Sequence, residues 1–200
     1  FFSCQEKPET PREVPTLWTT YDETSELKEN DSIENRRLRY KLLQSKFADR
    51  NEIYSKLYWE VTDFPQERYD ELAPLILEKD IPSIQQAIAA KELTYEELTL
   101  FYLKRIYNYE LDPATTLYTI MALNPNVLEE ARMKDKNKAT KNHEIYGMPI
   151  LLKDNISTSN MKTTAGAMAL QENAPTKDAF IVSQLKKNGA LILGKVNLSE

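Results

Sequence analysis

The four glycines of this chain all lie between Tyr146 and Glu200, where they punctuate a strand, long loop, helix and strand. The first strand falls in Gly147-Met148-Pro149-Ile150-Leu151-Leu152-Lys153-Asp154-Asn155, an apolar run that delivers a lysine straight into an Asp-Asn turn. Ile181, Val182 and Leu185 mark the helix, with Asp178 as its expected cap and Gly189 as its left-handed terminator. Ala190-Leu191-Ile192-Leu193 is a short, fully buried strand. That order is the unit of an α/β sheet covered on its faces, in which functional groups collect at strand ends. Lys153 and Lys195 both sit at such ends.

A lysine at a strand end has two readings. It can point into water, or it can enter a dry pocket and lose its charge. For an ammonium, moving from about 10.4 to about 7 takes roughly 4–5 kcal/mol of differential desolvation. A neutral lysine then serves as general base for a hydroxyl nucleophile.

Composition narrows the chemistry. Two hundred residues, 41% of them hydrophobic, supply one sizeable core and room for a small second unit. The net charge of −5 argues against nucleic acid as a partner, since phosphate binding wants a basic face. No apolar run approaches the roughly 20 residues that span a bilayer. One cysteine excludes an internal disulfide, and one histidine excludes a His-rich metal site. His143 lies in the polar run 134–144 and is expected in an exposed loop, so a hydrolase built from this chain would use lysine as its base.

Upstream, residues 5–31 are polar, rich in glutamate and broken by prolines, the composition of a tether or loosely ordered arm. A helical pattern begins at Ser32, with Ile33, Tyr40, Leu43 and Phe47 near one face. Further helices are predicted over 49–60 and from Pro65 towards Lys79, the latter bent or interrupted at Pro74. Tyr54, Tyr58 and Trp59 are expected as packing residues. Ser83 with Gln86 is a possible capping box. Thr94 with Glu97 is a cleaner one, opening a helix to about Asn108 that buries Leu98, Phe101, Tyr102 and Ile106. A β-type run over 117–123 follows, and Asn124 with Pro125 starts another helix.

The later blocks carry a resemblance. After the Gly147–Asn155 stretch come Thr163-Thr164-Ala165-Gly166 with Ala169-Leu170, then Pro175 and Asp178-Ala179, then Asn188-Gly189-Ala190. Leu193-Gly194-Lys195-Val196-Asn197-Leu198-Ser199-Glu200 closes the series. In order and spacing these blocks resemble the amidase signature family over roughly residues 80–200. The resemblance implies an α/β fold, a mixed sheet covered by helices, of which 80–200 is the N-terminal part. It leaves 1–31 as a signal remnant and polar tether, and 32–79 as a helical extension.

The family's catalytic set is Ser-Ser-Lys, in which the lysine acts through a bridging serine, held by a cis peptide, on a nucleophilic serine. Lys153 is the position that matches that lysine. The resemblance gives Asp154, Asn155, Thr164 and Gly166 supporting places: Asp154 to orient the loop, Asn155 in ordinary Asx-turn duty, Gly166 for close backbone approach. Ala167 stands where many relatives have serine, and Lys195 is expected as a structural lysine paired with nearby acids. The family's Gly- and Ser-rich block follows the Asn-x-Ser-Glu segment, so both serines are expected beyond Glu200. These 200 residues are then the N-terminal portion of an enzyme and inactive by themselves.

The implied reaction is hydrolysis of a small-molecule amide to carboxylate plus ammonia or amine, with no metal or organic cofactor. Two alternatives stay open: the glutaminase subunit of a tRNA-dependent amidotransferase, and a catalytically silent surface or binding protein on the same fold. Phe1-Phe2-Ser3-Cys4, followed by the Pro- and Glu-bearing stretch 5–11, resembles the end of a bacterial lipoprotein signal. On that reading Cys4 is acylated and the protein lies in the cell envelope, lipid-anchored or periplasmic. On the other reading Cys4 is a free thiol near a frayed terminus, and a cytoplasmic location follows.

Overall fold

The computed structural model describes residues 12–19, 22, 24–39, 49–137 and 143–198. Cys4, Tyr40, Leu43 and Phe47 lie outside the described residues. Among the described residues, eight α-helices and three strands follow in the order α1 Thr24–Ser32, α2 Arg50–Ser55, α3 Tyr58–Thr62, α4 Gln66–Ile76, α5 Ile81–Ala89, α6 Tyr95–Glu110, β1 Ile120–Leu123, α7 Val127–Lys136, β2 Pro149–Lys153, α8 Phe180–Lys187 and β3 Leu191–Val196. Short 3-10 turns occupy Arg36–Leu38 and Met168–Leu170.

The sheet has the order β1-β3-β2, with β3 parallel to β2 and antiparallel to β1. It is the mixed sheet expected from the sequence, and helices cover both faces. On one face Val127, Leu128 and Ala131 of α7 meet Leu191 and Leu193 of β3 in the larger core, which extends through Leu98 and Phe101 of α6 to Leu72 and Ile76 of α4. On the other face Val182 of α8 packs with Leu152, Ile192 and Met161. Ile181, expected inward, is instead 55% exposed, because α8 turns only Val182 fully into this smaller core.

Side-chain caps set the starts of α2, α5 and α6. Thr94 makes a complete capping box: its Oγ1 accepts from the Glu97 amide at 3.0 Å, while the Glu97 carboxylate accepts from the Thr94 amide at 2.9 Å. Helix α5 starts earlier than predicted. Asp80, not Ser83, is its cap, accepting from the Ser83 amide at 2.9 Å, and Pro82 fits the first turn where no N–H is required. Asp178 does not cap α8 either. Its carboxylate is taken by the Ser159 amide at 2.7 Å and by Lys186 at 2.8 Å. Pro74 lies inside α4, where it has no N–H to donate, and the helix ends two residues later at Ile76.

The N-terminal region departs furthest from expectation. Thr24–Ser32 is a helix within the predicted tether, and Ser32 ends a helix rather than beginning one. Residues 12–19 have no regular secondary structure, yet they are tied to the body. Asn51 Oδ1 accepts from the amides of Leu17 and Trp18 at 2.8 and 3.1 Å, and its Nδ2 donates to the Trp18 carbonyl at 3.0 Å. Arg12 pairs with Asp63 at 2.6 Å and stacks over Trp59, 3.7 Å from the ring centre.

Candidate active site

Lys153 is the last residue of β2, half-buried, opposite Val196 of the parallel neighbour. Its carbonyl accepts from the Ile156 amide at 2.9 Å, which closes a tight turn with Asp154 and Asn155 at the corner. The two corner residues separate sharply. Asn155 is exposed, whereas Asp154 is buried at 1% exposure. The Asp154 amide donates to the Val196 carbonyl at 2.8 Å, so the backbone pairing of β2 with β3 runs one residue past the lysine.

The Asp154 carboxylate organises the next loop. One oxygen accepts from Thr164 twice, from its amide at 3.0 Å and its hydroxyl at 2.5 Å. The Asp154 carbonyl accepts from the Ala165 amide at 3.1 Å. Gly166 follows with φ +67°, and a Cβ there would stand 3.3 Å from the Asn197 side-chain oxygen. Thus Lys153, Asp154, Thr164 and Gly166 belong to one connected loop structure at the end of β2, and Asn155 stands at its outer corner.

Beneath this loop lies a second lysine. Lys195 is fully buried. Its ammonium donates to the Ile156 carbonyl at 2.7 Å and the Thr163 hydroxyl at 3.0 Å, and it stands 3.5 Å from the other Asp154 oxygen. Burial pulls this amine below the ordinary lysine value, against the raising effect of the Asp154 carboxylate.

A β-bulge puts Lys195 there. Ile150 faces Ile192 but Leu151 faces Gly194, so Leu193 is an extra residue on β3. Leu191 and Leu193 point into the larger core. Strict alternation would have sent Lys195 the same way, but the extra residue turns it towards Ile156 and Thr163 on the other face. Gly194 makes this geometry possible: a Cβ at that position would stand 2.4 Å from the Ala122 carbonyl oxygen of β1.

Beside Asp154 and Thr164 a cleft of about 980 Å³ opens, walled by Met121 and Ala122 of β1, Met161 of the loop, and Ile53 of α2. The N-terminal extension therefore supplies a wall of the space next to the lysine turn, a role that its own residue pattern does not announce.

The mixed sheet between helix layers, with Lys153 and buried Asp154 at the end of its parallel pair, has the fold of the amidase structures to which this chain is similar. A family model described as Amidase matches residues 97–200, and the chain belongs to that family. Among curated relatives, a probable amidase from Arabidopsis thaliana is 38% identical over 130 residues, 62% of this chain and 25% of that protein. A glutamyl-tRNA(Gln) amidotransferase subunit of Thermus thermophilus is 38% identical over 117 residues, 58% of this chain and 23% of that protein. Among solved structures, an amidase family protein from Bacillus anthracis superposes with a TM-score of 0.70 at 33% identity, covering 76% of this chain and 30% of that one. The peptide amidase of Stenotrophomonas maltophilia gives a TM-score of 0.58 at 39% identity, covering 62% and 26%. This chain spans about a quarter of the length of these curated relatives.

Proposed function

We propose that the full-length protein hydrolyses carboxamides, with Lys153 as the base of a Ser-Ser-Lys relay whose serines lie beyond residue 200. The attacking serine gives its proton by way of the bridging serine to the Lys153 amine. The carbonyl carbon gains the serine oxygen and loses its nitrogen, which departs as ammonia or amine carrying that proton. Water then releases the carboxylate from the acyl-enzyme by the same route. The single observation that carries this reading is the placing of Lys153: a half-buried lysine at a strand end, followed at once by a turn anchored through buried Asp154. On this account the 200-residue chain is inactive without the serines.

A second reading, the glutaminase component of a tRNA-dependent amidotransferase, is favoured by the relatives that are named as subunits of glutamyl-tRNA(Gln) amidotransferase. One assay separates the two. The full-length protein, given a panel of simple carboxamides with no tRNA or partner protein, releases ammonia at a rate well above buffer if it is a free-standing amidase. Release from glutamine only, and only with a partner protein present, would replace the first reading by the second. No release under either condition would favour a silent protein on this fold. Acylation of Cys4 belongs to the same proposal; palmitate incorporation in cells that is lost in Cys4→Ser is the expected result, and no incorporation dependent on Cys4 would end the lipid anchor.

A further inference from the structure

Lys195 makes no contact with open solvent, and its three partners are all parts of the loop that leaves Lys153. An ammonium has three protons and no acceptor. Here two hydrogen bonds go to the Ile156 carbonyl and the Thr163 hydroxyl, and the Asp154 carboxylate stands opposite the third side as an ion-pair partner at 3.5 Å. Each sits at a different point of the same structure. Ile156 closes the turn onto the Lys153 carbonyl, Asp154 is the residue next to Lys153, and Thr163 begins the strap that crosses back over them.

We propose that Lys195 is a positioning residue for Lys153, its ammonium acting as a tripod that fixes the turn after β2 and hence the direction in which the Lys153 amine leaves the strand. The inference rests on the catalytic role proposed for Lys153. Asp154 transmits the constraint, because one carboxylate oxygen faces Lys195 while the other holds Thr164 by two hydrogen bonds. The bulge supplies the aim. Without the extra Leu193 the Lys195 side chain would enter the larger core, away from every one of its partners. A lysine kept for packing alone would need neither the bulge nor a neighbour with no side chain at Gly194.

The test uses the full-length protein with Lys195→Met, which keeps the stem and removes the tripod. The expected result is a kcat lower by about 10- to 100-fold with little change in KM, as a small misplacement of a catalytic group produces. A second readout does not depend on turnover: acetylation of Lys153 by limiting acetic anhydride, followed by mass spectrometry, changes its rate relative to exposed lysines such as Lys187. Val182→Ala, a cavity in the adjoining small core, serves as the control for lost stability and leaves both readouts at their wild-type values. If Lys195→Met lowers only the melting temperature, with kcat and Lys153 labelling unchanged, the inference is wrong. If Lys195→Met does not fold, Thr163→Val removes one leg of the tripod and is judged by the same two readouts. An inactive wild-type enzyme would sink the catalytic reading, and the labelling result would still decide the role of Lys195.

Discussion

Arg50 offers the sharpest test of whether the N-terminal extension is integral to the fold. It is 6% exposed on α2, pairs with Glu110 at 3.1 Å, and donates also to the Glu110 carbonyl and, at 3.2 Å, to the Thr116 hydroxyl. Its guanidinium lies 4.5 Å from the Trp18 ring centre and 4.8 Å from that of Tyr118. Replacing it by methionine keeps apolar volume and a polarizable contact to the rings, but leaves Glu110 buried without its cation. Breaking a buried pair costs about 3–5 kcal/mol. Glu110 retains donors from Thr119 at 2.6 and 3.2 Å and from Thr116 at 3.3 Å, which places the expected loss near the low end, about 3 kcal/mol. That is a large share of the roughly 5–15 kcal/mol typical of a folded domain. Urea unfolding of the full-length protein at pH 7, followed by tryptophan fluorescence, reads it directly. Arg50→Met with Glu110→Gln removes both charges and is expected to recover to within about 1 kcal/mol of wild type. A single variant within about 0.5 kcal/mol of wild type, or a double variant as unstable as the single, would refute the reasoning.

Two further outcomes follow from particular groups. Thr94→Ala removes the side-chain half of the capping box and is expected to cost about 1 kcal/mol, while Thr94→Ser keeps most of it; equal melting temperatures for all three proteins would contradict the cap. In acid, Glu97 and Glu110 lose more than ordinary surface carboxylates do. Burial raises both, but hydrogen bonds outweigh it, with Arg68 and Thr94 acting on Glu97 and Thr119 and Arg50 on Glu110, so both end below the ordinary 4.5. Depressed values mean that this stability is present above the unfolded pKa and lost as pH falls through the folded ones. The melting temperature should therefore drop as pH is lowered from about 4.5 towards about 3, and a flat profile there would show that these carboxylates titrate alike in the folded and unfolded chain.

The elements legible in the sequence were those whose signals are local. Thr94 and Glu97 are three residues apart and need only each other, so the start of α6 could be read directly. Gly189, with φ +87°, ends α8 where the pattern placed it. Ser83 looks like the cap of α5, yet the Asp80 carboxylate, three residues back in the region expected to precede the helix, caps it by accepting from the Ser83 amide. Helix α1 carries no apolar stripe, only Leu27 among polar residues, so a search for hydrophobic period passes over it. Lys195 is legible as a structural lysine paired with an acid, but its contacts with Ile156 and Thr163 are not, because alternation predicts the wrong face once a bulge intervenes. The one available signal was glycine beside lysine in an otherwise apolar strand, a mark of close backbone approach. Asp178 was misread for a related reason: Ser159 and Lys186, which claim its carboxylate, are 19 and 8 residues away.

The most direct test of the account is the turnover of Lys153→Ala in the full-length protein on its best carboxamide. A base that takes the serine proton accounts for a loss of about 100- to 10,000-fold in kcat, with the melting temperature near that of wild type because Lys153 is only half-buried. A variant that turns over within about twofold of wild type would show that some other group takes the proton, and Lys153 would keep only its place at the end of β2.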